Sequence, residues 1–240
     1  MELVNVNGVS TVRAKVATSI LKLGIIIDQP LLAKADIEAI KFKLVEAGNG
    51  SEVAIHSVSL WTCLEESAER GGTFMLEPTV LKGTIDLTVD EMPYNAMDTN
   101  FLQVELAGVN VAMNVRLYAI DGWGNDGALR KLELKSIIGS AVSDVNLLGA
   151  SRAIIPVGKI DSITIEYPEF ESLKAKSITY GEEELELIQL ELDGIVYLKG
   201  KTAIPRYLFE NNWIIKCNSA IRMKVQPKDG AGDFNILLDK

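Results

Sequence analysis

Reactive side chains are scarce in this sequence. His56 is the only histidine, and Cys63 and Cys217 are the only cysteines. One histidine removes every multi-histidine metal centre, and any nucleophile that needs an imidazole base would have to use this one residue. In Val53-Ala54-Ile55-His56-Ser57-Val58-Ser59, alternation places His56 on the face opposite Val53 and Ile55. A solvent-facing or partly buried strand histidine follows, with a general base as the competing reading. The cysteines are far apart, with no CxxC partner and no local nucleophile motif. They read as two small buried thiols, with a single disulfide as the alternative.

The remaining candidates are loops. Asp121-Gly122-Trp123-Gly124-Asn125-Asp126-Gly127 carries oxygens that would suit calcium and a tryptophan that would stack on a sugar. Asp and Asn in such a run also form turns without any ligand. Gly122-Trp123-Gly124 shares part of a GxG pattern, but no Lys-Ser or Lys-Thr follows at phosphate-loop spacing. Glu182, Glu183, Glu184 and Glu186 offer paired carboxylates. They sit consecutively after Tyr180-Gly181, where a solvated strand entrance that discourages edge pairing accounts for them. Trp61, Trp123 and Trp213 are too dispersed for a stacking platform. The sequence therefore assigns no catalytic, cofactor-binding or metal-ligating residue and no cofactor, and the protein is expected not to be an enzyme.

The elements that would carry any site are strands. Ile85, Leu87 and Val89 alternate with Thr84, Asp86, Thr88 and Asp90; Leu102, Val104 and Leu106 alternate with Gln103 and Glu105. Val111, Met113, Val115 and Leu117 alternate with Ala112, Asn114, Arg116 and Tyr118. Period-two patterning is what a half-buried strand requires. Further strands are expected at Ile40–Val45, Val53–Leu60, Leu132–Ile138, Ser162–Tyr167, Leu185–Leu192, Ile195–Leu198, Trp213–Cys217, Ala220–Val225 and Phe234–Leu238. Turns are expected at Ala47–Gly50, Asp121-Gly122, Asn125–Gly127, Asp193-Gly194 and Lys228–Gly230. Short helices are expected at Thr62–Arg70, with Glu65, Glu66 and Glu69 outward, at Pro205–Glu210, and as a third option at Pro30–Ile40. Many short strands with turns between them give an all-β, antiparallel β-sandwich.

Composition agrees with a packed globular chain: 240 residues, 48% hydrophobic, 24% charged, net charge −9. That charge argues against a protein that tracks phosphates. The N-terminus has no basic stretch followed by a long apolar run, so no signal peptide is expected, and no run reaches membrane-helix length. Phe101–Val109 echoes Leu187–Ile195 in character. Amphipathic strands ending in glycine look alike for local reasons, and two related sandwich domains would give the same echo. The division is set at 1–145 and 146–240, within the small, polar segment Gly139–Gly158.

This acidic, all-β chain resembles the jelly-roll coat proteins of icosahedral viruses. The nearest type is the double jelly-roll capsid protein of membrane-containing bacteriophages of the corticovirus and tectivirus group. The strands from Ile40 to Tyr118, the boundary near Gly139–Gly158 and the strands from Ser162 to Leu238 carry the resemblance. It implies two tandem jelly rolls with a few short helices, although 240 residues is short for two complete eight-stranded rolls, which leaves open a single roll with elaborate loops. It further implies a structural virion protein: a self-assembling capsid subunit, homotrimeric, located in the virion. Its partners would be further copies, other virion proteins and an internal viral membrane, with no sequence-specific nucleic-acid binding. Met1–Val12 would be an arm. The competing class is a phage tail, baseplate or adhesin-type sandwich that recognises a glycan or a protein.

Overall fold

The computed structural model describes residues 1–48, 51–70, 72–89, 92–122, 127–168, 175–181, 184–185 and 212–240. The expected strands at 185–192 and 195–198, the Asp193-Gly194 hairpin, the helix at 205–210, the second half of the internal echo and most of the glutamate cluster lie outside them. The chain forms two compact units, Met1–Leu132 and Glu133–Lys240.

In the first unit, one sheet runs β1 (Glu2–Asn7), β11 (Asn114–Ile120), β4 (Lys22–Asp28), β8 (Val80–Asp86), β7 (Phe74–Glu77). A second run of strands is β2 (Thr11–Val16), β10 (Asn100–Ala107), β5 (Lys41–Gly48), β6 (Ser51–Ser59). Every pairing within these two runs is antiparallel. With the short β7 set aside, eight strands are shared four and four between two sheets, and the last enters between the first and third. That is the jelly-roll arrangement. A small ladder joins β3 (Ser19–Ile20) to β9 (Tyr94–Asn95).

The second unit repeats the plan with its own eight strands. One order is β12 (Leu132–Ile137), β19 (Phe234–Asp239), β14 (Arg152–Pro156), β17 (Asn212–Lys216). The other is β13 (Ser143–Asn146), β18 (Arg222–Pro227), β15 (Ile160–Pro168), β16 (Ala175–Gly181). Again the last strand enters between the first and third. The protein is therefore two complete jelly rolls in tandem, and 240 residues suffice for both. Within Gly139–Gly158, Val145, Ala153 and Ile155 hold β13 and β14 in the core of the second roll.

Inward positions follow the alternation: Leu23, Ile25 and Ile27 on β4, Val115 and Leu117 on β11, Leu102, Val104 and Leu106 on β10, all essentially buried. Each such side chain contributes about 1.5–3 kcal/mol over its exposed state. Two strands sit elsewhere than expected. β8 begins at Val80 and its ladder ends at Lys22↔Asp86, after which Leu87 turns its N–H to Leu21 and Val89 is exposed. β11 starts only at Asn114, because the Asn110 side chain accepts the Ala112 N–H and the Asn110 carbonyl accepts that of Met113, making a turn of 110–113.

Two of the expected helices form. α2 (Leu60–Glu69) is capped by Ser59, whose hydroxyl accepts the Thr62 N–H at 3.1 Å. It lies so close to the first sheet that a Cβ on Gly83 would come within 2.9 Å of Leu64 and 2.7 Å of Phe74. Glu65 and Glu66 are buried, contrary to the outward reading. Trp61 Nε1 donates to Glu65 at 2.5 Å and Arg70 to Glu66 at 3.0 Å, which makes their burial affordable. α1 is confined to Lys34–Glu38, because Leu31 adopts φ +60 and breaks any helix begun at Pro30.

Met1–Val12 is not an arm. β1 pairs with β11 from Glu2↔Tyr118 to Asn7↔Asn114, and the Met1 amine donates to the Ala119 carbonyl at 2.8 Å. Deleting Glu2–Asn7 should lower the melting temperature by about 10 °C or more, since an edge strand and its ladder are lost. A circular-dichroism melt that is unchanged by the deletion would contradict this placement.

Candidate assembly surfaces and the buried polar cluster

The residue with the most chemical scope, His56, is turned into the core at 1% exposure. The cause is a β-bulge: β5 pairs Leu44 with His56 but Val45 with Ala54, so Ile55 is skipped and Ile55 and His56 both become buried. The ring lies 5.9 Å from that of Phe42, and Nδ1 accepts the Leu132 N–H at 3.2 Å. Burial first, and the Arg130 charge second, pull its pKa down to about 3. The imidazole is neutral at ordinary pH, and its accepting nitrogen is already used, so it is a poor general base.

Around it Arg130 donates to the Thr88 carbonyl at 3.2 Å and approaches Glu66 at 4.0 Å. Arg70, Arg130, Thr88 and the Lys22–Asp86 ion pair of 2.9 Å line a cleft of about 260 Å³. The cations there already have anionic or carbonyl partners, so the cleft reads as a closed ionic network. Both cysteines are free and buried. Burial, and then Glu66, hold the Cys63 thiol far above its ordinary range, and burial pushes Cys217 up to about 12. Neither is an available thiolate. Among the described residues, no group of three or more His, Cys, Asp or Glu is placed to hold a metal. Of the Asp121–Gly127 loop, residues 123–126 lie outside the description. The Asp121 carboxylate accepts the Gly122 N–H at 2.8 Å, as a turn former does. Among the described residues no helix is long and apolar enough to cross a membrane.

The outer faces of the sheets offer more. On the first sheet of the first roll, Gly24 leaves a slot that Tyr118 and Ile120 border. A Cβ there would lie 3.2 Å from Ile120 and 3.3 Å from Tyr118. The slot opens into an apolar groove of about 600 Å³ bordered by Met1, Ile26, Met75, Tyr118 and Ile120. Met75 is 43% exposed and Ile120 37%. Elsewhere Leu31 and Val111 in the first roll, and Ile138, Val142 and Leu148 in the second, are individually exposed. An exposed apolar groove of this kind marks an interaction site, whereas exposed apolar residues scattered singly are ordinary. Sequence reasoning missed the groove because it gathers side chains from positions 1 to 120, through strand register alone.

No protein-family model and no curated protein sequence matches the chain. Among solved structures it is similar to the major capsid protein of Sulfolobus turreted icosahedral virus, the STIV MCP. The TM-score is 0.56 at 10% identity, covering 100% of this chain and 93% of that one. A chain in the atomic structure of the same virus gives a TM-score of 0.51 at 11% identity, covering 100% and 88%.

Depression of the His56 pKa makes stability depend on acid. The unfolded chain binds a proton near pH 6.5 that the folded core refuses until about pH 3. Stability is therefore lost as pH falls through that window, by about 1.4 kcal/mol per unit once well below 6.5. Between pH 6.5 and 5, before most carboxylates titrate, His56→Asn should flatten the fall in melting temperature seen in the parent. An equal slope in both proteins would contradict a buried neutral imidazole.

The likeness is one of fold: two jelly rolls in tandem, built as in a viral major capsid protein.

Proposed function

We propose that this chain is a self-assembling capsid subunit of an icosahedral virus, acting as a homotrimer within the virion and without catalytic activity. The observation that carries the reading is the double roll itself, complete in both units and similar along the whole chain to the STIV MCP. Fold alone does not assign function, so the surface matters equally. An apolar groove on the outside of a sheet is costly for a protein that works alone and suited to one buried among copies. The absence of an enzymatic role is supported by the burial of His56, Cys63 and Cys217, the residues with most reach for acid–base or nucleophilic chemistry.

Light scattering after size exclusion tests this directly. The 26.2 kDa chain should elute as a trimer or as larger closed particles. The paired substitution Met75→Glu and Ile120→Glu should weaken association by about tenfold or more, because two buried carboxylates would lack partners. A monomer at every concentration would transfer the assignment to a sandwich that binds a glycan or a foreign protein.

A further inference from the structure

The strand register of the first roll gathers positive charge that the sequence disperses. Glu105 on β10 faces Arg13 of β2 on one side and Lys43 of β5 on the other. One step along, Ala107 faces Thr11 and Lys41, and Gln103 faces Lys15. Arg13, Lys15, Lys41 and Lys43 are all exposed. Arg13 bonds Glu105 at 2.7 Å; Lys15 reaches Asp98 at 2.9 Å and lies over the Phe101 ring at 4.5 Å. Lys41 and Lys43 have no ion-pair partner among the described residues. Four cations against two carboxylates leave this face at +2, so the rest of a chain of net charge −9 carries −11.

Protection of a sheet edge accounts for part of this. β2 is an outermost strand, and Arg13 and Lys15 discourage pairing with another edge. It does not account for Lys41 and Lys43, because β5 lies between β10 and β6. Copies of net charge −9 repel one another, and exposed charges are felt over about 10 Å at moderate salt. Approach becomes favourable where a positive face meets the acidic remainder of a neighbour.

We infer that the basic face formed by Arg13, Lys15, Lys41 and Lys43 is the seat for an acidic surface of a second copy of this chain. The inference rests on the capsid-subunit reading and adds to it which face of the first roll is occupied and by what chemistry. It makes association electrostatically steered.

The test compares association rates, by stopped-flow light scattering, at about 50 and about 300 mM salt, a range over which screening shortens markedly. The parent should associate about tenfold more slowly at the higher salt. Lys41→Glu with Lys43→Glu should associate about tenfold more slowly at low salt, with little remaining salt dependence. Lys41→Gln with Lys43→Gln should fall between. A control, Lys176→Glu with Lys224→Glu, makes the same change in net charge on exposed positions of the second roll and should slow association far less, with the salt dependence of the parent retained. Matched thermal melts establish that each variant folds.

Equal slowing by both charge-reversal pairs would overturn the inference, since net charge alone would then explain it. So would a parent that associates without salt dependence. Capture of the parent by phosphatidylserine vesicles or duplex DNA, lost in Lys41→Glu/Lys43→Glu while self-association is intact, would reassign the face to phosphate. A parent that never associates removes the capsid reading as well; an associating parent with an unaffected Lys41→Glu/Lys43→Glu removes this inference alone.

Discussion

Each roll is closed by its last strand. β11 must enter between β1 and β4, and β19 between β12 and β14, before either sheet has a full set of backbone partners. Until then, β4 and β14 each present an unpaired row of N–H and C=O groups, which a nonpolar interior cannot leave unsatisfied. The contacts that fasten the closing strands are correspondingly specific. In the first roll the Met1 amine reaches the Ala119 carbonyl just inside the end of β11. In the second, Arg152 of β14 bonds Asp239 of β19 at 3.2 Å, and Lys240 bonds Glu133 of β12 at 2.8 Å. Lys135 and Lys240 together hold the Glu133 carboxyl down to about 2. These closing pairs join residues separated by most of a unit's length, so folding has to pay for long loops before the core rewards it.

The class of fold was legible because alternation is local. Leu102, Val104 and Leu106, or Val115 and Leu117, declare their buried face within six residues. What was illegible depended on partners far along the chain. His56 looked outward because a bulge cannot be seen from one strand: only pairing with β5 shows that Ile55 is skipped. Glu65 and Glu66 looked solvated although Trp61 and Arg70 stand only four residues away on α2; what could not be read was that this part of the helix is covered. The first strand looked like an arm because its partner, β11, lies more than a hundred residues away.

The same limit applies more strongly to the surfaces. Lys41 and Lys43 join Arg13 and Lys15 only because β10 pairs with both β2 and β5. The apolar groove exists only because Gly24 sits beside Tyr118 and Ile120. Interior chemistry, by contrast, is quiet. The single histidine is neutral, both thiols are buried, and the charged groups near them are tied to one another. A protein so arranged invests its specificity outside, in two kinds of face: one apolar, and one positive on an acidic chain. Apolar area supplies affinity at a subunit contact, while complementary charge fixes orientation and speeds encounter.

Cryo-electron microscopy of the purified protein at assembly concentration tests the central claim most directly, because it reads the architecture of the rolls and their association in one image. The account predicts three-fold particles in which each chain contributes two jelly rolls, or shells tiled by such units. Isolated single chains at all concentrations would contradict it.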